Sequence, residues 1–150
     1  MNNYTKKACL RMKVSLHFKG YFPELAFMQG EEFSGIYIVY SGAAGEGNKC
    51  WLRKILYIGE SDNIIEDIKK PECADDWYLE LNPGEQLYFT VAEVEKSTRQ
   101  TARGILINLH KPPCNEKFAS SIPEEYQSFH VSYSGATKLL QEQFCNNVEI

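Results

Sequence analysis

Two short apolar runs constrain this chain more than anything else in it. Gly35-Ile-Tyr-Ile-Val-Tyr40 and Ile55-Leu-Tyr-Ile58 mix β-branched and aromatic residues and contain no charge. Such runs suit the pleated, buried surface of a sheet, and each predicts a core strand. Between them lies Gly42-Ala-Ala-Gly45-Glu-Gly47-Asn48, rich in turn formers, so the pair predicts a hairpin with a long loop. The second run leads into Gly59-Glu-Ser61-Asp62-Asn63. Strands that present tyrosines beside a glycine and a polar helix start can wall a site that cleaves phosphodiesters. They can equally be a plain sheet core.

The rest of the chain supplies the other elements. Met12-Lys-Val-Ser-Leu-His-Phe18 alternates apolar and polar, the pattern of a half-buried strand, and Gly20-Tyr-Phe-Pro23 predicts a break after it. Pro23–Met28 predicts a short helical turn. Ser61 or Asp62 can cap a helix over 63–70 that stops at Pro71, with Ile64, Ile65 and Ile68 on one face and Asn63, Asp67 and Lys70 near one another on another. Residues 71–85 are polar, end in the turn signal Asn82-Pro-Gly84, and predict a loop. Gln86–Val94 predicts a third core strand. Ser97 or Thr98 can cap a helix Arg99–His110 whose apolar stripe is Ala102, Ile105, Leu106 and Leu109, ending before Pro112-Pro113. Phe129–Tyr133 predicts a short strand and Ala136–Phe144 a last amphipathic helix. The fold class expected is α+β: a small mixed or antiparallel sheet flanked by helices, extended by an N-terminal strand and a C-terminal strand-helix.

A chain of 150 residues without repeat or linker is expected to form one domain over 1–150. Net charge −4 argues against a generally basic, non-specific nucleic-acid binder, because counterion release rewards a positive surface. The charge is uneven, however: residues 1–20 hold Lys6, Lys7, Arg11, Lys13 and Lys19 and no acid. That stretch is either a solvated basic face or an arm that touches phosphates. Five cysteines, odd in number and without a C-x-x-C pair, do not form a disulfide framework. With no signal-peptide core and no apolar run long enough for a membrane span, the expected location is cytoplasmic, with no membrane partner.

The order strand, strand, helix, strand, helix, with Gly35-Ile36-Tyr37 on the first strand and Tyr57-Ile58-Gly59 on the second, resembles the GIY-YIG nuclease domain. Ser61 and Asn63 after the glycine, Leu106-Ile107 on the second helix, and Pro112 with Asn115 at its end also follow that family's pattern, so the resemblance covers about residues 33–117. It implies metal-assisted cleavage of a nucleic-acid phosphodiester, with Mg or Mn held by a glutamate, a hard oxygen ligand. It also implies that Tyr37 activates water or attacks, that Tyr57 assists, and that Asn115 buttresses the site. Gly59, Ser61, Asn63 and Lys70 are then the candidate nucleic-acid-binding residues.

Two positions depart from the pattern. Where the family has a phosphate-binding arginine this chain has Asp67, and where it has the metal-binding glutamate this chain has Arg103. A carboxylate repels the phosphate that a guanidinium would clamp, and a guanidinium expels the metal. Losing one preorganised contact of this kind costs about 3–4 kcal/mol of transition-state stabilisation. An ion pair between Asp67 and Arg103 is the expected arrangement.

The expectation is therefore a degenerate nuclease site in a domain that binds DNA or another nucleic acid, or a protein partner, with neither metal nor small-molecule cofactor. The alternative is an active metal-dependent endonuclease in which Lys70 replaces the phosphate cation and Glu93 or Glu95 supplies a displaced ligand. A zinc set of His110, Cys114 and Cys73 is a weaker candidate, since no second paired motif accompanies it. Tyr21, Phe22, Trp51, Trp77, Tyr78 and Tyr88 could stack on bases or simply pack.

Overall fold

A computed structural model describes residues 12–118 and 129–141. Strand β1 is Met12–Pro23, β2 is Gly35–Ala44, β3 is Cys50–Ser61, β4 is Gln86–Glu93 and β5 is Phe129–Gly135. The helices are α1 (Glu24–Met28), α2 (Ile64–Ile68), α3 (Pro71–Leu79) and α4 (Lys96–His110), with a 3-10 segment at Pro113–Phe118. One five-stranded sheet runs in the order β3-β2-β4-β1-β5. Its pairings are antiparallel except β1 with β5, which is parallel. The class is thus α+β with a mixed sheet. No helix among the described residues is long and apolar enough to cross a membrane.

The organising hairpin is longer than its apolar cores. Pairing continues outward to Ala44 opposite Cys50, and the turn shrinks to residues 45–49, closed by Gly45 N–H donating to the Lys49 carbonyl at 2.8 Å. Gly42, expected in the loop, is a strand residue. A Cβ there would lie 2.7 Å from the Trp51 carbonyl oxygen, so the strands approach too closely for any larger residue.

Strand β1 also runs past its expected break, with an irregular register between Lys19 and Phe22 opposite β4. Gly20 lies so near the Phe89 carbonyl that a Cβ would come within 2.7 Å, and its φ of +146° suits glycine alone. A glycine that looked like a stop is what lets two backbones meet.

The two faces of the sheet bury separate clusters. Leu16, Phe18, Ile36, Ile38, Tyr40, Ile58 and Val131 pack with Ala102, Ile105, Leu106 and Ile107 of α4. On the other face Tyr37, Val39, Leu56, Phe89 and Val91 pack with Phe27 of α1, Ile64 and Ile68 of α2 and Trp77 of α3. Both faces of β2 are therefore covered, which explains why its apolar run shows no alternation.

Four expectations about helices need correction. Asn63, not Ser61 or Asp62, caps α2: its side-chain oxygen accepts from the Glu66 N–H at 3.2 Å, and the helix is only five residues long. The stretch read as loop from residue 71 contains α3. Pro71 ends one helix and, with its φ preset and no N–H to waste, starts the next. Helix α4 begins at Lys96, so Ser97 and Thr98 lie inside its first turn rather than at its cap. Finally, residues 136–141 of the expected C-terminal helix form a bend and a turn, with Leu139 at a φ of 69°. The rest of that expected helix lies outside the described residues, as do Lys6, Lys7 and Arg11 of the basic stretch.

Candidate functional site

Tyr37 sits in the middle of β2, opposite Gly59 of β3. A Cβ at Gly59 would fall 2.4 Å from Cζ of Tyr37 and 2.6 Å from its hydroxyl oxygen. The bare glycine is therefore the shelf on which the tyrosine ring lies. Trp77 meets that ring edge-on, with centroids 6.5 Å apart, and Tyr57 flanks it at 6.0 Å. Enclosed this way, Tyr37 has 0% of its surface exposed. Its hydroxyl donates to Oδ2 of Asp67 at 2.9 Å.

Asp67 is on α2, which its cap at Asn63 and the buried Ile64, Ile65 and Ile68 hold against the sheet. Lys70 lies 3.8 Å from the other carboxylate oxygen of Asp67, with 61% of its side chain exposed. Ser61 Oγ accepts the Asn63 N–H at 3.0 Å. Ser61 and Asn63 thus turn the chain from β3 into α2, and the structure accounts for both through that turn.

Arg103 on α4 reaches the other strand of the hairpin. Its Nε donates to the Ile58 carbonyl at 3.2 Å and its Nη2 to the Tyr57 hydroxyl at 3.4 Å. No ion pair joins Asp67 to Arg103 among the described residues, and that expectation is corrected. The carboxylate serves Tyr37 and Lys70, whereas the guanidinium serves Tyr57 and the β3 backbone.

Asn115 is fully buried under the free edge of β3. Its Oδ1 accepts the Ile58 N–H at 2.7 Å, and its Nδ2 donates to the Ile58 carbonyl at 3.1 Å. The side-chain amide does here what a neighbouring strand's backbone would do. It satisfies both backbone groups of an edge residue that cannot reach water.

Sequence reasoning missed Arg99. Its side chain is only 5% exposed, and its guanidinium donates to Asp62 at 2.9 Å, to Ser34 Oγ at 3.0 Å and to the Val94 carbonyl at 3.1 Å. Hydrogen bonding from Arg99 and then from Lys96 holds the Asp62 carboxyl below its usual range. Arg99 knots the start of α4 to the loop after β3. A signal existed: counting back three from Ala102 along the apolar stripe lands on it. Trp77, which the sequence offers as an aromatic that stacks on bases or packs, is buried and closes the Tyr37 compartment.

The remaining candidates separate. Glu93 and Glu95 are exposed at the end of β4, where Glu93 lies opposite Gly35. His110 is not disposed as a zinc ligand. Its Nε2 accepts the Gln141 N–H at 2.8 Å, so Nδ1 carries the proton and donates to the Leu106 carbonyl at 2.9 Å. Cys50 is a free thiol. Of the aromatics, Trp77 and Tyr88 are buried, Tyr21 and Phe22 are half-buried, and Trp51 and Tyr78 are exposed. No protein-family model, curated protein or solved structure matches the chain.

Proposed function

We propose that this chain is a GIY-YIG-like domain whose nuclease site has become part of its core, and that it acts by binding nucleic acid or a protein rather than by cutting a phosphodiester. The observation that carries this reading is the complete enclosure of Tyr37 together with its hydroxyl bond to Asp67. A group that attacks or deprotonates must come within about 2.6–3.2 Å of its target, directly or through one water. A phenol walled by Trp77, Tyr57 and Gly59, and already donating to a carboxylate, has no such approach.

The charges support the same reading. Asp67 places a negative group where a phosphate would need a positive one, and Arg103 is engaged with Tyr57 and the β3 backbone. The scattered cysteines, odd in number and without a C-x-x-C pair, suit a cytoplasmic setting. The endonuclease alternative is favoured by one feature, the exposed Lys70 beside Asp67, but it requires the Tyr37 compartment to open.

The test is incubation of the intact protein with duplex and branched DNA in Mg²⁺ and in Mn²⁺, with products read on denaturing gels. The DNA is expected to be recovered uncut. Metal-dependent product that disappears in Tyr37→Phe overturns it and installs the endonuclease.

A further inference from the structure

The β1–β5 pair carries a second, unrelated feature. Its buried side presents Val14, Leu16, Phe18 and Val131 to the core, so its other side alternates outward. There β1 exposes Lys13, Ser15, His17 and Lys19. In parallel register β5 sets His130 beside Lys13, Ser132 beside Ser15 and Ser134 beside His17. Ser15 and Ser132 hydroxyls lie 3.3 Å apart, and His17 Nδ1 lies 2.9 Å from Ser134 Oγ. None of these seven positions is acidic, in a chain of net charge −4.

The strip runs into an open groove of about 710 Å³ lined by His17, Lys19, Tyr21, Thr137 and Lys138, among others, with no carboxylate among the described lining residues. The groove wall is fixed rather than loose. The Tyr21 hydroxyl accepts the Lys138 N–H at 2.7 Å, and the Tyr40 hydroxyl donates to the Lys138 carbonyl at 3.1 Å. Lys19 is held over the Phe33 ring, 5.8 Å from its centroid. Lys13 and Lys19, six residues apart on an extended strand, are about 20 Å apart at 3.3 Å per residue.

We propose that this strip and groove bind the phosphate backbone of a nucleic acid. The inference rests on reading the chain as a binding module, and it names the partner and places it on the β1–β5 face, away from Tyr37. Three lysines flanked by hydroxyls and imidazoles, with no acid between them among the described residues, complement a line of phosphates. A protein partner is disfavoured because stable protein interfaces centre on buried aromatic or aliphatic anchors. The strip offers none.

The experiment is fluorescence anisotropy of a labelled duplex with the intact chain in EDTA, so that cleavage plays no part. If Lys13, Lys19 and Lys138 each neutralise one phosphate, log K falls against log salt with a slope of about −2.7, making binding about 40-fold weaker at 200 mM than at 50 mM salt. The Lys13→Glu/Lys19→Glu/Lys138→Glu variant is expected to lose more than about tenfold at low salt and most of that slope. Alanine at the same three positions is expected to fall between it and the wild type. Lys49→Glu, a reversal at an exposed residue of the hairpin turn, is expected to stay within about twofold. Circular dichroism and an unchanged urea midpoint confirm folding of each variant.

The proposal is overturned by absence of wild-type binding at low salt, or by a triple variant that binds as the wild type does. It is equally overturned if Lys49→Glu is as damaging, or if vesicles of phosphatidylserine compete the DNA away at matched charge. Cleavage in Mg²⁺ would sink the non-catalytic reading and leave these binding outcomes as they stand.

Discussion

Gly59 and Asn115 are explained by packing as fully as by any chemistry. Glycine at 59 is required because the Tyr37 ring occupies the place of its side chain. Gly59→Ala must push that ring against Trp77 and Tyr57, and overpacking of this kind costs about 1–3 kcal/mol. The expected result is a urea midpoint lowered accordingly with an unchanged slope, and an unshifted midpoint would contradict the packing account. Asn115→Ala strips the acceptor from the buried Ile58 N–H, at about 1–3 kcal/mol for a group left unsatisfied, while the Ile58 carbonyl keeps the Arg103 donor. Asn115→Asp keeps the acceptor, loses the donor and buries a charge. Chemical denaturation should therefore rank aspartate no better than alanine, and an aspartate variant as stable as the wild type would refute this role. Both residues stood out in the sequence as motif positions. Arg99 did not, because a charged residue on an apolar stripe is visible only once its partners at Asp62, Ser34 and Val94 are in place.

Among the elements, the strands were legible and the short helices were not. Runs such as Gly35–Tyr40 and Gln86–Val94 announce themselves through β-branched and aromatic residues, and structure only lengthened or trimmed them. Helix α3 hides because it buries one large residue, Trp77, among acidic and polar neighbours, too little for a periodic signal. The segment after β5 was misread for the opposite reason. Its apolar residues suggested a helix, yet backbone bonds to Tyr21, Tyr40 and His110 hold it as a turn.

That last contact makes stability depend on pH. Burial lowers the His110 pKa, with the bond to Leu106 opposing it more weakly. The unfolded chain therefore takes up this proton more readily than the folded one. The contribution is fully present above the unfolded value, about 6.5, and is lost as pH falls through the depressed folded value. Protonating Nε2 also removes the acceptor for the Gln141 N–H. Thermal melts of wild type and His110→Gln should differ most near neutral pH and converge in acid. A gap that widens as pH falls would show that the proton is bound in the fold after all.

At the scale of the molecule, the sheet separates two roles. The middle of the β2–β3–β4 region carries Tyr37 and Tyr57 and is covered on both faces, whereas the outward side of β1 and β5 is exposed, polar and, among the described residues, free of acid. The parallel closure of β1 with β5 joins residues 117 apart in sequence, and no local pattern foretells a pairing of that span. The basic bias of the first twenty residues was visible; its pairing with a serine- and histidine-bearing partner strand was not. The charges at Asp67 and Arg103 were legible too, but not their separate partners, since sequence spacing says nothing of where two side chains point.

Whether Tyr37 is a structural tyrosine is decided by nicking of supercoiled plasmid by the wild type and by Tyr37→Phe. With Mg²⁺ or Mn²⁺ present, both proteins are expected to leave the plasmid as supercoiled as a protein-free control does. Metal-dependent nicking by the wild type that Tyr37→Phe abolishes would contradict it, and would mean that the compartment closed by Trp77, Tyr57 and Gly59 opens to admit DNA.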